Sequence, residues 1–251
     1  MRRAALVLVA LACALEGTLS GCETSAEKSA KLEKVAKREA AVAKRHEELV
    51  QKGLSITHES TKIRVSATAV VHSSEGTAAV VTLRNLSATA QRDVPIAIAV
   101  KSASGATIYT NRISGLASAL VSVPLLPAHG TTTWIDDQIE AAGTPATVSA
   151  RVGEGEPVTG AVPKLSVQGA HLLNDEASGL EDEGTVANHS AVAQRELVLY
   201  AVARRAGRIV AAGRALIPQV AAGGSARFQV FFIASPQGAQ LELSAPASTV
   251  G

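Results

Sequence analysis

The hydrophobic positions of the chain follow three different patterns along its length. Residues 4–15 are apolar without interruption, residues 23–53 mix Lys, Glu and Ala around a sparse apolar stripe, and later residues form short apolar or alternating runs between turn residues. Runs of this length, bounded by Gly, Pro, Asn and Ser, are typical of β-strands. The pattern therefore predicts an all-β fold beyond residue 53.

The predicted strands form two series. The first series comprises Lys62–Val71, Ala78–Leu83, Pro95–Val100, Thr107–Ile113, Leu120–Leu125, Thr131–Ile135 and Ala146–Val152. The second series comprises Lys164–Val167, Gly184–Ala187, Glu196–Ala203, Arg208–Ala212, Ala226–Ile233 and Gln240–Ser244. Strands at this spacing favour a β-sandwich or barrel over parallel βαβ units.

The two series are related in sequence, which predicts an internal duplication. Residues 85–93, Asn-Leu-Ser-Ala-Thr-Ala-Gln-Arg-Asp, share six of nine positions with residues 188–196, Asn-His-Ser-Ala-Val-Ala-Gln-Arg-Glu. Further on, Trp134 and Phe228 follow matching Gly turns, so we expect both rings in the core. The boundary falls in a stretch rich in Gly, Glu and Pro. The predicted modules are residues 54–153 and 164–251, with a linker at 154–163.

The order of turns and strands resembles a known group of modules. Each copy has an Asn-x-Ser turn, a strand, a Gly turn, a strand, and a Gly turn before a strand with an aromatic residue. This order resembles the immunoglobulin-like modules of bacterial surface proteins, particularly the FxLYD type, with CARDB-type modules as the second choice. Tyr200–Arg204 and Ile98–Ser102 stand where the Phe-x-Leu-Tyr-Asp motif is expected. The resemblance implies two tandem immunoglobulin-like β-sandwiches without catalytic residues.

The N-terminus carries an export and lipidation pattern. Arg2 and Arg3 precede an apolar stretch of 12 residues, shorter than the roughly 20 that cross a bilayer but typical of a signal peptide. Leu19-Ser20-Gly21-Cys22 resembles the bacterial lipobox. We predict that residues 1–21 are removed, that Cys22 is lipidated, and that the protein is anchored by this lipid to a membrane of the cell envelope, outside the cytoplasm. An ordinary secretory signal is the alternative.

The segment 22–53 is predicted to be a charged helical spacer after the lipidated Cys. Apolar residues recur every seven positions at Val35, Val42 and Leu49, and Gly53 is a suitable helix stop. Pairing of this helix with a partner helix, or packing on the chain's own β-modules, are the alternatives.

Composition and charge exclude several functions. Removing residues 1–21 takes away Arg2, Arg3 and Glu16 and leaves 22 basic against 21 acidic residues. A chain so close to neutral has no general affinity for nucleic acid. The only other Cys, Cys13, lies in the removed segment, so the mature chain forms no internal disulfide.

Catalytic patterns are missing from the sequence. The six His residues are scattered singly, and neither a Gly-x-Ser-x-Gly elbow nor a Gly-rich phosphate loop occurs. We therefore predict that the protein is not an enzyme and that it needs no cofactor.

An acidic run is the only candidate for a metal site, and we do not predict that it binds a metal. Its carboxylates belong to Asp175, Glu176, Glu181, Asp182 and Glu183. Carboxylates from one loop can bind Ca²⁺, but the spacing fits no known calcium loop. A solvated hairpin tip is the preferred interpretation.

A basic turn is the candidate interaction site. Arg204, Arg205 and Arg208 lie between two predicted strands, where they would contact anionic envelope polymers or keep strand edges soluble. The Asn85 and Asn188 sequons are interpreted as turn residues that bond the backbone.

These features together predict a lipid-anchored envelope protein that acts as a non-catalytic interaction or structural module for a protein partner. The alternative is a ligand- or ion-binding accessory lipoprotein of a transport or sensing system. The sequence leaves the oligomeric state open.

Overall fold

The computed structural model describes residues 53–175 and 179–251, together with Glu33, Lys37, Ala40 and Lys44. The side chains of residues 174, 175, 179 and 180 lie outside this description, as do the predicted signal peptide, Cys22 and most of the predicted spacer. The chain divides into two compact units, Met1–Arg45 and His46–Gly251. The four described residues of the first unit are helical and exposed, and Lys37 Nζ lies 2.7 Å from Glu33 Oε1.

The second unit is nearly all β, which confirms the predicted class. Its first strand series is β1 Ile63–Ser73, β2 Gly76–Asn85, β3 Gln91–Ser102, β4 Thr107–Thr110, β5 Ser122–Leu126, β6 Thr131–Asp136, β7 Pro145–Val152 and β8 Glu156–Pro157, with a 3-10 turn at Ser118–Leu120. Its second series is β9 Leu165–Asp175, β10 Gly179–Asn188, β11 Gln194–Arg205, β12 Arg208–Val220, β13 Ser225–Phe231 and β14 Gln240–Ser244. The predicted strands all overlap observed ones.

The two series build corresponding antiparallel sheets, although the sheet around β3 has five strands and the sheet around β11 has three. In the first series, β2 lies between β1 and β6, and β3 pairs with β4, β5, β7 and β8. In the second, β10 lies between β9 and β13, and β11 pairs with β12 and β14. One continuous strand, β12, thus replaces the separate β4 and β5.

A shared irregularity in the central strands supports the duplication. Asp93 in β3 and Glu196 in β11 have positive φ angles of 50° and 47°. The pairing of their neighbours places Pro124 opposite Asp93 and Pro218 opposite Glu196. Proline has no N–H, so it costs no ladder hydrogen bond where the opposing residue leaves the regular strand conformation.

Strand β11 is buried on both faces, and this joins the two series into one packed block. Leu197, Leu199, Ala201 and Ala203 belong to the second series' own hydrophobic cluster. The alternate residues Val198, Tyr200 and Val202 belong instead to the cluster that contains the first series' core. Such an unbroken apolar run is the pattern of a strand covered on both sides.

The stretch that the sequence predicts as a linker packs against β3. Strand β8 pairs with β3 there, and Arg92 NH2 lies 2.6 Å from Glu156 Oε2. A Cβ on Gly155 would lie 2.7 Å from a methyl carbon of Val94, so only glycine fits without movement.

The chain enters the β block at Gly53, whose φ of 70° suits glycine. A Cβ at Gly53 would lie 2.9 Å from the carbonyl oxygen of Arg112. The next residue, Leu54, is buried with Ala97 and Val121. The predicted helix stop is therefore also the point where the chain attaches to the first series.

Candidate functional site

Each series contains a buried Asn side chain that holds a turn together. Asn85 Nδ2 donates to Thr89 O at 2.9 Å, and its Oδ1 accepts from the backbone N and Oγ of Ser87 at 2.9 and 2.8 Å. Asn188 repeats this set: its Nδ2 donates to the carbonyl four residues later at 2.8 Å, and its Oδ1 accepts from Ser190 N and Oγ at 3.1 and 2.7 Å. The structural interpretation of the sequons is confirmed. Both amides are buried and bonded, so neither is available for a glycan.

The aromatic residues of the two Gly turns are core residues, as predicted. Trp134 is fully buried and its Nε1 donates to Ala119 O at 2.9 Å. Phe228 is 5 % exposed, and a Cβ on Gly184 would lie 2.7 Å from its ring. Neither ring forms an exposed platform for a sugar.

A buried ion pair connects the two series. Arg214 Nε on β12 lies 2.5 Å from Asp137 Oδ1, just after β6, and Arg214 N donates to Asp137 Oδ2 at 3.1 Å. The two side chains are 10 % and 16 % exposed. Because the carboxylate binds both the guanidinium and the backbone of β12, the pair fixes the position of β12 against β6.

A second buried acid lies next to this pair. Asp136 Oδ2 accepts from Tyr109 Oη at 2.9 Å, and its Oδ1 accepts from Gln138 N at 3.0 Å. Burial raises the pKa of Asp136, although these bonds and the Arg214 charge oppose the shift. Burial and the nearby Asp136 charge together raise the pKa of Tyr109, so its hydroxyl stays a donor.

Tyr200 completes the buried polar cluster between the series, which we call the interface cluster: Tyr109, Asp136, Asp137, Tyr200 and Arg214. Tyr200 is 1 % exposed, lies opposite Arg214 in the strand register, and its hydroxyl has no hydrogen-bond partner among the described residues. Burial raises its pKa as well. The interface cluster fixes the packing of strands from the two series, and its two tyrosine hydroxyls stay neutral. Its role is therefore structural.

Sequence reasoning missed the interface cluster. One signal was available, because Arg214 is the only charge in the apolar run Ala211–Ile217 and a charge buried in a strand needs a partner. Its partner lies 77 residues away, and nothing in the local pattern identifies Asp137.

The acidic candidates do not converge on one point. Glu181, Asp182 and Glu183 are consecutive residues of β10, so the middle carboxylate points to the opposite face from the other two. Glu181 and Asp182 are 4 % and 0 % exposed, so the expectation of a solvated tip is wrong for them. Glu181 Oε2 accepts from Gln229 Nε2 at 2.5 Å. The side chains of Asp175 and Glu176 lie outside the described residues.

Asp182 is the one acidic candidate with an unusual environment. Neither of its carboxylate oxygens has a hydrogen-bond partner among the described residues. Burial raises its pKa, while the charge of His171 and the backbone N–H of His171, which approaches the carboxylate without a well-aligned hydrogen bond, lower it in part. Among the side chains that the structure describes, His, Cys, Asp and Glu form no group of three that could hold a metal.

The basic candidates lie on the β11–β12 hairpin. Arg204 Nε lies 2.9 Å from Glu242 Oε2, and Arg205 donates to the carbonyl oxygen of Gln237. Arg208 is exposed. Two of the three arginines are thus bonded to neighbouring segments of the chain. Because successive strands alternate in direction, the β11–β12 hairpin lies at the same end of the second series as the β9–β10 hairpin.

A groove opens on the second series, and we call it the β12–β13 groove. Its volume is about 670 Å³. Its lining is Gln168, Gly169, His171, Glu183, Gly184, Thr185, Ala215, Leu216, Ile217, Pro218, Arg227, Phe228 and Gln229. Leu216, at its rim, is 62 % exposed. No local sequence pattern predicts this groove, because it depends on how two edge strands diverge.

Two further observations concern known proteins and membranes. No helix formed by the described residues is long and apolar enough to cross a bilayer. Comparison with family models gives no match, and comparison with curated proteins gives no relative.

Proposed function

We propose that the chain is a lipid-anchored protein of the cell envelope that presents a rigid, non-catalytic interaction block to a protein partner. In this proposal residues 1–21 are a signal peptide, Cys22 carries the lipid, and residues 23–53 are a helical spacer. The β block consists of two tandem immunoglobulin-like sandwiches resembling the FxLYD type.

The matched architecture of the two series supports the proposal of tandem modules. Both have a three-stranded sheet of corresponding strand order, the same Asn-centred turn and a proline opposite a positive-φ residue. Duplicated β-modules of this kind present loops and strand edges, which bind proteins by shape and backbone hydrogen bonding.

The observation that carries the proposal is the double burial of β11. The apolar face that includes Val198 and Val202 is covered by the first series, and the Asp137–Arg214 pair bonds across the same contact. A binding protein that closes two domains around a ligand needs a cleft there. A filled contact instead favours a block that holds its outer surfaces in a fixed arrangement.

Replacement of Cys22 tests the anchoring. We expect Cys22→Ser to move the protein from the membrane fraction to the soluble extracytoplasmic fraction, while Cys13→Ser, which alters only the predicted signal peptide, leaves it on the membrane. Fractionation of cells followed by immunoblotting measures both. A Cys22→Ser variant that still sediments with membranes would contradict the proposal.

Cross-linking tests the partner. A photo-reactive residue at exposed positions of the β block, in whole cells, should give a discrete adduct with one envelope protein. Deleting the second series is unsuitable, because it removes the cover of the first series' core. Diffuse or no adducts from every surface position would count against an interaction role.

The buried carboxylate of Asp182, which accepts no well-aligned hydrogen bond among the described residues, is the observation that favours the second candidate function, an ion- or ligand-binding accessory lipoprotein, in which the remaining ligands of an ion would come from outside the described side chains. A bound cation would give this carboxylate a partner and would stabilise the fold by mass action. Thermal unfolding of the mature chain with millimolar Ca²⁺ tests it: a rise in Tm that Asp182→Ala abolishes would support this function, and an unchanged Tm would remove it.

A further inference from the structure

The internal duplication allows the β12–β13 groove to be compared with its counterpart in the first series. Ile96 and Leu199 both lie three residues after the positive-φ residue of their strand. Ile96 N donates to Val121 O at 2.9 Å, and Leu199 pairs with Ala215. Val121 and Ala215 are therefore equivalent, as Trp134 and Phe228 are.

In the first series, the chain itself occupies the space beside this position. Between β4 and β5 it leaves the sheet and returns through the 3-10 turn Ser118–Leu120. Ala119 O accepts from Trp134 Nε1 at 2.9 Å. Leu120 is 1 % exposed, and its O accepts from Asn111 Nδ2 at 2.7 Å. A short apolar segment thus packs beside the aromatic residue and is held by hydrogen bonds to its backbone.

In the second series, no such segment exists. Strand β12 runs continuously from Arg208 to Val220, and a single residue, Arg214, stands where the first series has the excursion. Phe228 replaces Trp134. The β12–β13 groove lies here, with Ala215 and Phe228 in its lining.

The walls of the groove suit a peptide backbone. Strands β12 and β13 are the outer strands of their sheets, and the backbone pairing between them is the bridge from Ala212 to Ile233, just after β13. An outer strand has unpaired N–H and C=O groups along one side, to which an added segment can bond. The side chains of Gln168, Thr185 and Gln229 add further donors and acceptors.

We infer that the β12–β13 groove binds a short peptide segment of a protein partner that carries a leucine-sized apolar side chain, in the way that Ser118–Leu120 packs in the first series. This inference rests on the proposed function and names where the partner binds. Leu216, large and 62 % exposed at the rim, contacts the apolar side chain of the peptide.

A peptide with the chain's own residues 114–123, Ser-Gly-Leu-Ala-Ser-Ala-Leu-Val-Ser-Val, is the probe. Fluorescence anisotropy of the labelled peptide with the full mature chain should show saturable binding. Leu216→Asp in the protein should weaken binding by about 10-fold or more, as expected for one apolar contact replaced by a charge. A peptide with Asp in place of the Leu120 residue should bind equally poorly to both proteins.

Ile113→Asp is the matched control, because Ile113 is 51 % exposed on the first series and lies outside the groove. It should leave the affinity unchanged. No binding at millimolar peptide, or equal affinity for wild type and Leu216→Asp, overturns the inference. A concentration-dependent dimer in sedimentation that Leu216→Asp dissolves also overturns it, because a second copy would then cover the groove.

Separate experiments distinguish a failure of this inference from a failure of the proposed function. If Leu216→Asp retains the adduct seen by cross-linking in cells, the partner binds elsewhere and only the groove assignment fails. If Cys22→Ser remains on the membrane, the anchoring fails whatever the peptide does.

Discussion

The two strand series bury an acidic side chain at equivalent places but on opposite strands. In the first series, Asp136 on β6 lies opposite Ala79 on β2. In the second, Asp182 on β10 lies opposite Val230 on β13. When positions are counted from the matched Asn and Gly turns, the two residue pairs occupy the same cross-strand position. The acid and the apolar residue have changed strands between the two series.

The surroundings of the two acids differ. Asp136 accepts hydrogen bonds from Tyr109 and a backbone N–H, whereas neither oxygen of Asp182 accepts a well-aligned hydrogen bond among the described residues, although the backbone N–H of His171 is close enough to lower its pKa. Tyr109 pairs with Val100, which lies seven residues after Asp93. In the second series, the residue seven positions after Glu196 is Ala203, and it pairs with Ala211. Alanine therefore stands where the first series has Tyr109. A buried polar group stabilises a fold only when its bonds are made. We therefore expect acids of the first series to support the fold and Asp182 to weaken it.

Breaking the ion pair between the series should have the largest effect. Asp137→Ala leaves the Arg214 charge buried without its partner, which costs about 3–5 kcal/mol of unfolding free energy. Urea unfolding of the mature chain measures the change. Because β12 and β6 lose their bond across the interface, both series should be affected in one transition.

The double substitution Asp137→Leu with Arg214→Met separates charge from packing. It removes both charges and should recover most of the loss. If Asp137→Ala alone costs less than about 1 kcal/mol, as for an exposed pair, then Arg214 reaches water and the interface is looser than its burial indicates.

Substitution of the Asn residue in each turn tests whether equivalent residues contribute equally to the unfolding free energy. Asn85→Ala and Asn188→Ala each leave buried backbone groups without partners, at about 2 kcal/mol apiece. Because the two Asn side chains make matching sets of hydrogen bonds, the two costs should be similar. Thermal or urea unfolding measures both.

Gln138→Ala is the control for the Asn variants, because this side chain is exposed and only its backbone N–H makes a bond. It should be nearly neutral. A large difference in unfolding free energy between the two Asn variants would contradict this expectation. It would mean that matching hydrogen bonds contribute unequally to stability in the two turns.

The strands and turns could be predicted because their signals are local. Apolar runs and alternation located every strand except β8, which lies in the predicted linker, and Asn-x-Ser located both turns. The clustered acids of residues 175–183 predict a solvated hairpin tip, because Asp and Glu are rare in strands. Tertiary packing overrides that preference, since β10 pairs with β9 on one side and β13 on the other.

The double burial of β11 was visible in the sequence as the unbroken apolar run Leu197–Ala203, but its covering surface was not. Contacts such as Asp137 with Arg214 join positions far apart in the chain, and a single sequence carries no pairing information for them. The same holds for the β12–β13 groove, which depends on an insertion present in one copy and missing from the other.

Asp182→Ala should have the smallest effect and the opposite sign. The substitution introduces the residue that the first series carries at this position, Ala79. It removes a buried carboxyl that accepts no well-aligned hydrogen bond, so we expect the unfolding free energy at pH 7 to rise by about 1 kcal/mol. Unfolding in urea at pH 7 measures the gain.

The pH dependence decides whether the carboxyl charge is the cause. Burial raises the pKa of Asp182 in the folded chain above its unfolded value near 3.9. The folded state therefore holds its proton longer, and the Asp182 contribution declines as pH rises from about 4 through the raised pKa. Asp182→Asn should remove that decline while keeping the side-chain shape. If Asp182→Asn follows the wild-type stability profile at every pH, the carboxyl is hydrated and Asp182 does not weaken the fold.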